Sequence, residues 1–210
     1  MPRSSAQLSR ERVLDAAIGL MRRGGFHAAG VNEIVAESGA AKGSLYYLFP
    51  EGKRQIASAA LALYADRVCA YIDASLASAS APDAKVEALF RAVAERFEAA
   101  GCRQSCAAGA ASLDLTDDLE VVRGAIGGMF EACVAVIASH FRARDVARSR
   151  SFASLLLTTI EGAYVRGRAE CSARPIHEAS DWLAALAVRE FGQQSRAPKS
   201  QRQPKTRRSR

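Results

Sequence analysis

Apolar residues recur every three or four positions along most of this 210-residue chain. That period is typical of amphipathic helices, and no segment shows the alternation that indicates a strand. We therefore predict an all-α fold, with Ser9 as the first N-cap and Gly24-Gly25 as the end of the first helix. The predicted helices cover residues 9–23, 31–38, 42–49, 53–76, 83–100, 105–113, 117–141, 146–171 and 176–191.

The second and third of these helices are short and are joined by Glu37-Ser38-Gly39-Ala40. Two short helices around a turn containing glycine form a helix-turn-helix, whose second helix enters the major groove of DNA. Leu45 and Phe49 are spaced i, i+4 and would anchor that second helix. Tyr46 and Tyr47 are neighbours, so their side chains point about 100° apart. We predict that the outer face of this helix contacts a DNA duplex.

Residues around this helix suit such contacts. The small side chains of Ala41 and Gly43 would let backbone amides approach phosphates. Longer side chains could reach phosphates or base edges. They are Lys42, Ser44, Tyr46, Tyr47 and, at the start of the next helix, Lys53.

Charge divides the chain into three parts. Residues 1–54 contain eight basic and five acidic residues, residues 55–192 contain 14 and 17, and residues 193–210 contain seven and none. We predict a helix-turn-helix domain over 1–54, a second helical domain over 55–192, and a disordered basic tail over 193–210. The tail could add sequence-independent attraction to phosphates, or could be a solvated tail with little role.

The segment RVLDAAIGLMRRGGFHAAGVNEIVAESGAAKGSLYYLFPEGKRQI resembles the DNA-binding domain of the TetR family of transcriptional repressors over about residues 10–57. The extra residue in FPEGK, Gly101-Cys102 and Glu161-Gly162-Ala163 resemble the LmrA/YxaF-like branch. The resemblance implies DNA contacts by the residues above and by Asn32. The common histidine after the tyrosines is Leu48 here, which cannot donate to a phosphate but could touch a thymine methyl.

The resemblance also implies a homodimer that binds palindromic double-stranded operator DNA and responds to a small-molecule effector. Candidate effector contacts are apolar and aromatic positions of the second domain, so we predict a largely apolar ligand; they are Phe90, Phe97, Met129, Phe130, Val134 and Tyr164. Candidate dimer contacts lie in the last two helices; they are Leu155, Gly162, Ala163, Leu183 and Leu186. The resemblance thus makes residues 55–192 an effector-binding and dimerisation domain. We predict a repressor that the ligand releases from its operator, with an activator as the alternative.

Five cysteines are present: Cys69, Cys102, Cys106, Cys133 and Cys171. An odd number argues against a disulfide framework, and buried, inert thiols are one interpretation. The alternative is a redox-responsive regulator, because Cys102 and Cys106 lie near a helix start and an arginine, where a thiol pKa can be lowered.

Other classes fit the sequence less well. It contains no P-loop, dinucleotide fingerprint, HExxH or nucleophile elbow, so we predict no enzyme. The three histidines have no paired ligand spacing, and we predict neither a metal nor a cofactor. No run approaches roughly 18 apolar residues and the N-terminus is charged, so we predict a cytoplasmic protein without a membrane partner. A protein that compacts DNA without sequence preference is a rival supported by the tail.

Overall fold

The computed structural model describes residues 5–143 and 145–192, and the predicted basic tail lies outside them. Within these ranges the chain forms helices and no strand, which confirms the all-α prediction. The helices are α1 (Ser5–Ala28), α2 (Val31–Ser38), α3 (Lys42–Leu48), α4 (Lys53–Ala77), α5 (Pro82–Ala99), α6 (Ala107–Ser112), a 3₁₀ turn (Asp117–Leu119), α7 (Glu120–His140), α8 (Val146–Glu170) and α9 (Arg174–Phe191).

The first helix is interrupted near its end by two glycines. Gly24 and Gly25 have non-helical backbone angles, and φ of Gly25 is +76°. A Cβ on Gly25 would collide with the Asp114 carboxylate and lie 2.9 Å from the Ala110 carbonyl oxygen. Glycine is therefore required both by this angle and by the close approach of α6. The predicted N-cap at Ser9 is wrong, because α1 already includes Ser5.

The first three helices enclose a small core and α4 leads out of it. Val13, Ile34, Leu45 and Phe49 are at most 1% exposed, so α2 and α3 pack against α1. Continuous burial along α4 joins this core to the rest of the molecule. Since α4 begins at Lys53, the predicted division after residue 54 falls in its first turn.

The larger domain is a stack of long helices. α5 packs against α9, and α7 packs between α4 and α8. Three aromatic rings, Phe141, Phe152 and Phe191, lie with centroids 5.0 to 5.5 Å apart where α7, α8 and α9 meet. Edge-to-face ring contacts of this kind add to the stability of a core.

Residues Asp117–His140 have the length and mean hydropathy, 1.7, of a membrane-spanning segment. The sequence contains no unbroken apolar run of membrane-spanning length here, because Arg123 and Glu131 interrupt it. Core helices of soluble proteins share such a composition, and one face of α7 is buried against its neighbours through Val122, Met129 and Ile137.

Candidate functional site

The turn between α2 and α3 is tight because Gly39 adopts a left-handed conformation, φ +64°. Its amide donates to the Val35 carbonyl oxygen at 3.0 Å, and the amide of Ala40 donates to the Ser38 hydroxyl at 3.2 Å. These bonds close the end of α2, so the next residues can start α3 at a sharp angle.

One face of α3 is buried and the other is open. Leu45 is fully buried, whereas Tyr47 is 86% exposed and Tyr46 46%. Leu48 is half-buried and packs against the hydrophobic core, so less of it is available than the sequence indicated. The remaining predicted contacts on this face, all exposed, are Ala41, Lys42, Gly43 and Ser44.

Two of the predicted DNA contacts meet at the edge of this face. The Lys42 ammonium donates to the Asn32 side-chain oxygen at 3.3 Å, which brings the starts of α2 and α3 together. Both side chains are exposed. The pair therefore presents a positive charge beside the open face of α3.

Lys53 is engaged within the protein. Its ammonium donates to the His27 carbonyl oxygen at 3.3 Å and lies 4.2 Å from the centroid of the Phe26 ring. Burial lowers the Lys53 pKa, against the opposing effect of the Asp114 and Glu33 carboxylates. A cation at the C-terminal end of a helix stabilises that helix, and Lys53 occupies this position at the end of α1. If Lys53 contacts a DNA phosphate, it does so in addition to stabilising α1.

A cavity of about 890 Å³ lies between α6, α7, α8 and the end of α1. Three of the predicted effector contacts, Phe130, Val134 and Tyr164, line it. Phe90, Phe97 and Met129 instead belong to the buried core and lie outside the wall. The other lining residues are Gly24, Gly25, Ser105, Gly109, Ala110, Ser112, Leu113, Asp114, Ser154, Leu157, Thr158, Glu161, Gly162, Val165 and Arg168.

Three charged residues line the cavity, and the sequence prediction included none of them. The Asp114 carboxylate accepts from the His27 amide at 2.9 Å, and the Arg168 guanidinium donates to the Arg23 carbonyl oxygen at 2.8 Å. Burial raises the pKa of Glu161 to about 7. Glu161 lies four residues after Leu157 and three before Tyr164, so these three side chains share one face of α8. That spacing was the sequence signal that could have placed Glu161 in the cavity wall.

The same region is bonded to the helix-turn-helix domain. The Ser105 amide donates to the Arg22 carbonyl oxygen at 3.0 Å, and the Arg22 guanidinium donates to the Ser105 carbonyl oxygen at 3.1 Å. On the other side, the Arg54 guanidinium donates to the Asp118 carbonyl oxygen at 3.1 Å. Ser105 of the cavity wall is therefore bonded to α1, and the turn before α7 is bonded to α4.

The structure does not support the alternative interpretation of Cys102 and Cys106, in which their thiol pKa is lowered. Burial raises the pKa of both thiols, and for Cys106 the nearby Glu161 carboxylate adds to the effect. The titratable groups that act on Cys102 are Glu98 and Cys171, not Cys106. Since the thiolate is the reactive form, the physical reason for a redox switch at this pair is lost.

Large apolar side chains are exposed on α8 and α9. Leu155, a predicted dimer contact, is 43% exposed, Trp182 is 80% exposed, and Val165, which also lines the cavity, is 66% exposed. Of the other predicted dimer contacts, Gly162 is exposed, Leu186 is half-buried, and Ala163 and Leu183 are buried. The sequence prediction did not include Trp182.

Two family models match the chain. The model of the bacterial regulatory proteins of the tetR family matches residues 13–60, and that of the LmrA/YxaF-like transcriptional regulator C-terminal domain matches residues 82–182. Together with the fold, these matches define a helix-turn-helix transcriptional regulator and not an enzyme. The chain belongs to the TetR family, in its LmrA/YxaF-like branch, as the sequence resemblance predicted.

Curated relatives agree with this assignment. The uncharacterised regulator YxaF of Bacillus subtilis is 39% identical over 90 residues, which is 43% of this chain and 47% of that protein. LmrA of the same organism is 55% identical over 49 residues, 23% of this chain and 26% of LmrA. The matches thus span about half of YxaF and a quarter of LmrA. A Mycobacterium tuberculosis HTH-type regulator is 26% identical over 194 residues, 89% of this chain and 98% of that protein.

Solved structures share the fold. The TetR regulatory protein of Rhodobacter sphaeroides has a TM-score of 0.73 at 22% identity, covering 85% of this chain and 98% of that one. A TetR family regulator of Agrobacterium tumefaciens has a TM-score of 0.75 at 16% identity, covering 87% and 99%. A cysteine mutant of the regulator CifR, crystallised with 26-bp double-strand operator DNA, has a TM-score of 0.71 at 18% identity, covering 88% and 98%.

Proposed function

We propose that the protein is a dimeric repressor that binds a palindromic operator in double-stranded DNA and is released from it by a small, largely apolar ligand. The open face of α3 is the observation that carries this proposal. Tyr47 is almost fully exposed while Leu45, two residues earlier, is fully buried. A rigid helix that displays hydroxyls and a lysine suits the major groove. The structural neighbour CifR is bound to operator DNA, which supports the same role here.

Dimerisation follows from the size of the DNA contact. One seven-residue helix touches few base pairs, and helix-turn-helix proteins gain specificity by pairing two half-sites. The exposed apolar side chains of Leu155 on α8 and Trp182 on α9 are the best candidates for the contact between subunits. Exposed apolar surfaces of this kind mark interaction sites.

Release by ligand would be a shift between two conformations. The cavity wall includes Gly24 and Gly25 of α1, and also Asp114, whose carboxylate accepts from the His27 amide near the end of α1. A ligand that favours one spacing of these elements would change the separation of the two α3 helices in a dimer. The two α3 helices of the dimer would then no longer fit both half-sites of the operator. A protein that acts on DNA in this way would work in the cytoplasm.

Selection of bound sequences from random DNA tests the proposal. We expect the full-length protein to enrich one palindrome, and Lys42→Ala to lose affinity for it. Arg91→Ala is the matched control, since it removes one exposed positive charge from α5, far along the chain from α3. It should leave selection intact. Truncation after residue 192 should also preserve selection, whereas a protein that compacts DNA without preference would lose binding.

Two results would contradict the proposal. One is the recovery of sequences with no common motif. The other is equal loss of affinity in Lys42→Ala and Arg91→Ala, because that would indicate attraction by net charge alone. Each variant should first be checked for an unchanged helical circular dichroism spectrum.

A further inference from the structure

Glu161 of α8 lies in the cavity wall, and its carboxylate lies against Gly109 of α6. A Cβ on Gly109 would collide with its carboxylate, so the glycine makes room for the acidic group. The Cys106 thiol donates a hydrogen bond to the same carboxylate. The packing thus holds a charged group against the apolar wall of the cavity.

No cation neutralises this carboxylate within residues 5–143 and 145–192, where no lysine, arginine or histidine nitrogen lies within 4.0 Å of it. The Arg168 guanidinium is already bonded to the Arg23 carbonyl oxygen and the Ser105 hydroxyl. The other charged residue of the wall, Asp114, is acidic and accepts from the His27 amide.

Titratable groups from several helices surround Glu161. Two cations act electrostatically on its neighbour Tyr64: Arg22 of α1, whose guanidinium donates to the Ser105 carbonyl oxygen, and Arg96 of α5, whose guanidinium lies 4.5 Å from the centroid of the Tyr71 ring. Arg22 also acts on Tyr164. The remaining groups are neutral at pH 7, because burial raises the pKa of each of them. They are Tyr64 of α4, Cys106 at the N-cap of α6, Cys133 of α7 and Tyr164 of α8.

Burying a carboxylate without a cationic partner is costly, and such groups mark sites where a ligand supplies the missing charge. We propose that the cavity takes an aromatic molecule with a protonated amine, whose cation pairs with Glu161 while its ring packs on Phe130, Val134 and Leu157. This inference rests on the proposed function and changes the ligand from largely apolar to amphipathic and cationic.

Three naphthalene probes that differ in one group test the inference: naphthylmethylamine, naphthylmethanol and naphthoate. Calorimetric titration without DNA compares them on the wild-type protein, on Glu161→Gln and on Glu131→Gln. Glu131 lies on α7, exposed and paired with Arg150, so it controls for the same chemical change outside the cavity.

We expect the wild-type protein to bind the amine at least about tenfold more tightly than the alcohol at pH 8. This preference should survive in Glu131→Gln and vanish in Glu161→Gln. The pH adds a second readout. A carboxyl with a pKa of about 7 is about one-tenth ionised at pH 6 and about nine-tenths ionised at pH 8. Affinity for the amine should therefore rise about tenfold between these values.

Equal affinity for amine and alcohol, including undetectable binding of both, would overturn the inference. So would a preference that persists in Glu161→Gln with an unchanged helical circular dichroism spectrum, since the amine would then not pair with Glu161. The test is independent of DNA. A protein that fails to select an operator but prefers the amine contradicts the proposed function alone, and the opposite result contradicts only the inference.

Discussion

Replacement of Glu161 by glutamine should stabilise the protein, and the gain should depend on pH. The folded protein raises the pKa of this carboxyl from 4.5 to about 7 because the group is buried. The folded state thus holds the proton more tightly than the unfolded chain does. The contribution of this one group to stability is therefore greatest below about pH 4.5 and is lost as the pH rises to about 7. Each pH unit in that window costs about 1.4 kcal/mol, so the total is about 3 kcal/mol.

Glutamine has nearly the same shape as glutamate and carries no charge. The Glu161→Gln variant should therefore not show the loss of stability that ionisation of Glu161 causes as the pH rises. Urea unfolding, followed by circular dichroism at one fixed protein concentration, measures the free energy of unfolding at pH 4.5 and pH 8. The advantage of Glu161→Gln should grow by about 3 kcal/mol between the two. Glu131→Gln, an exposed control, should change stability by less than about 0.5 kcal/mol. A difference independent of pH would refute the reasoning.

Three further predictions concern other parts of the molecule. Tyr47→Ala should weaken operator binding by about tenfold or more in fluorescence anisotropy without changing the melting temperature, because the side chain is 86% exposed; unchanged affinity would contradict its role. Gly167→Ala should cost about 1–3 kcal/mol in urea unfolding, since its Cβ would lie 2.8 Å from the Phe97 ring. Gly128→Ala, with nothing within 4 Å, is the control and should be neutral or stabilising. Trp182→Asp should shift the protein to monomers in analytical ultracentrifugation; a dimer of unchanged stability would exclude the α8–α9 surface.

The helix-turn-helix was predictable because its determinants are local. Leu45 and Phe49 lie one turn apart, and Gly39 supplies the conformation that ends α2. Residues a few positions apart on a helix have a known relative orientation, so the buried and open faces of α3 follow from the order of residues. Lys53 departs from this rule, since its contact with His27 joins segments 26 residues apart.

The surfaces of α8 and α9 could not be assigned in the same way. Both helices carry apolar residues on more than one face, so helical periodicity does not say which face is inside. The structure turns Ala163 and Leu183 inward and Leu155 and Trp182 outward. That choice depends on how α8 and α9 pack against α7 and α5, contacts that no local pattern specifies.

The sequence by itself determined the helical class, the helix-turn-helix and the open face of α3, because periodicity, a glycine turn and local spacing act within a few residues. Only the tertiary structure decided where the cavity lies and what lines it. Phe90 and Phe97 are aromatic residues of the kind that contact ligands, but they fill the core. Glu161 instead reaches the cavity, because Gly109 of α6 leaves room for its carboxylate. Burial of a side chain is set by partners distant in sequence, and with it the pKa and the ligand chemistry.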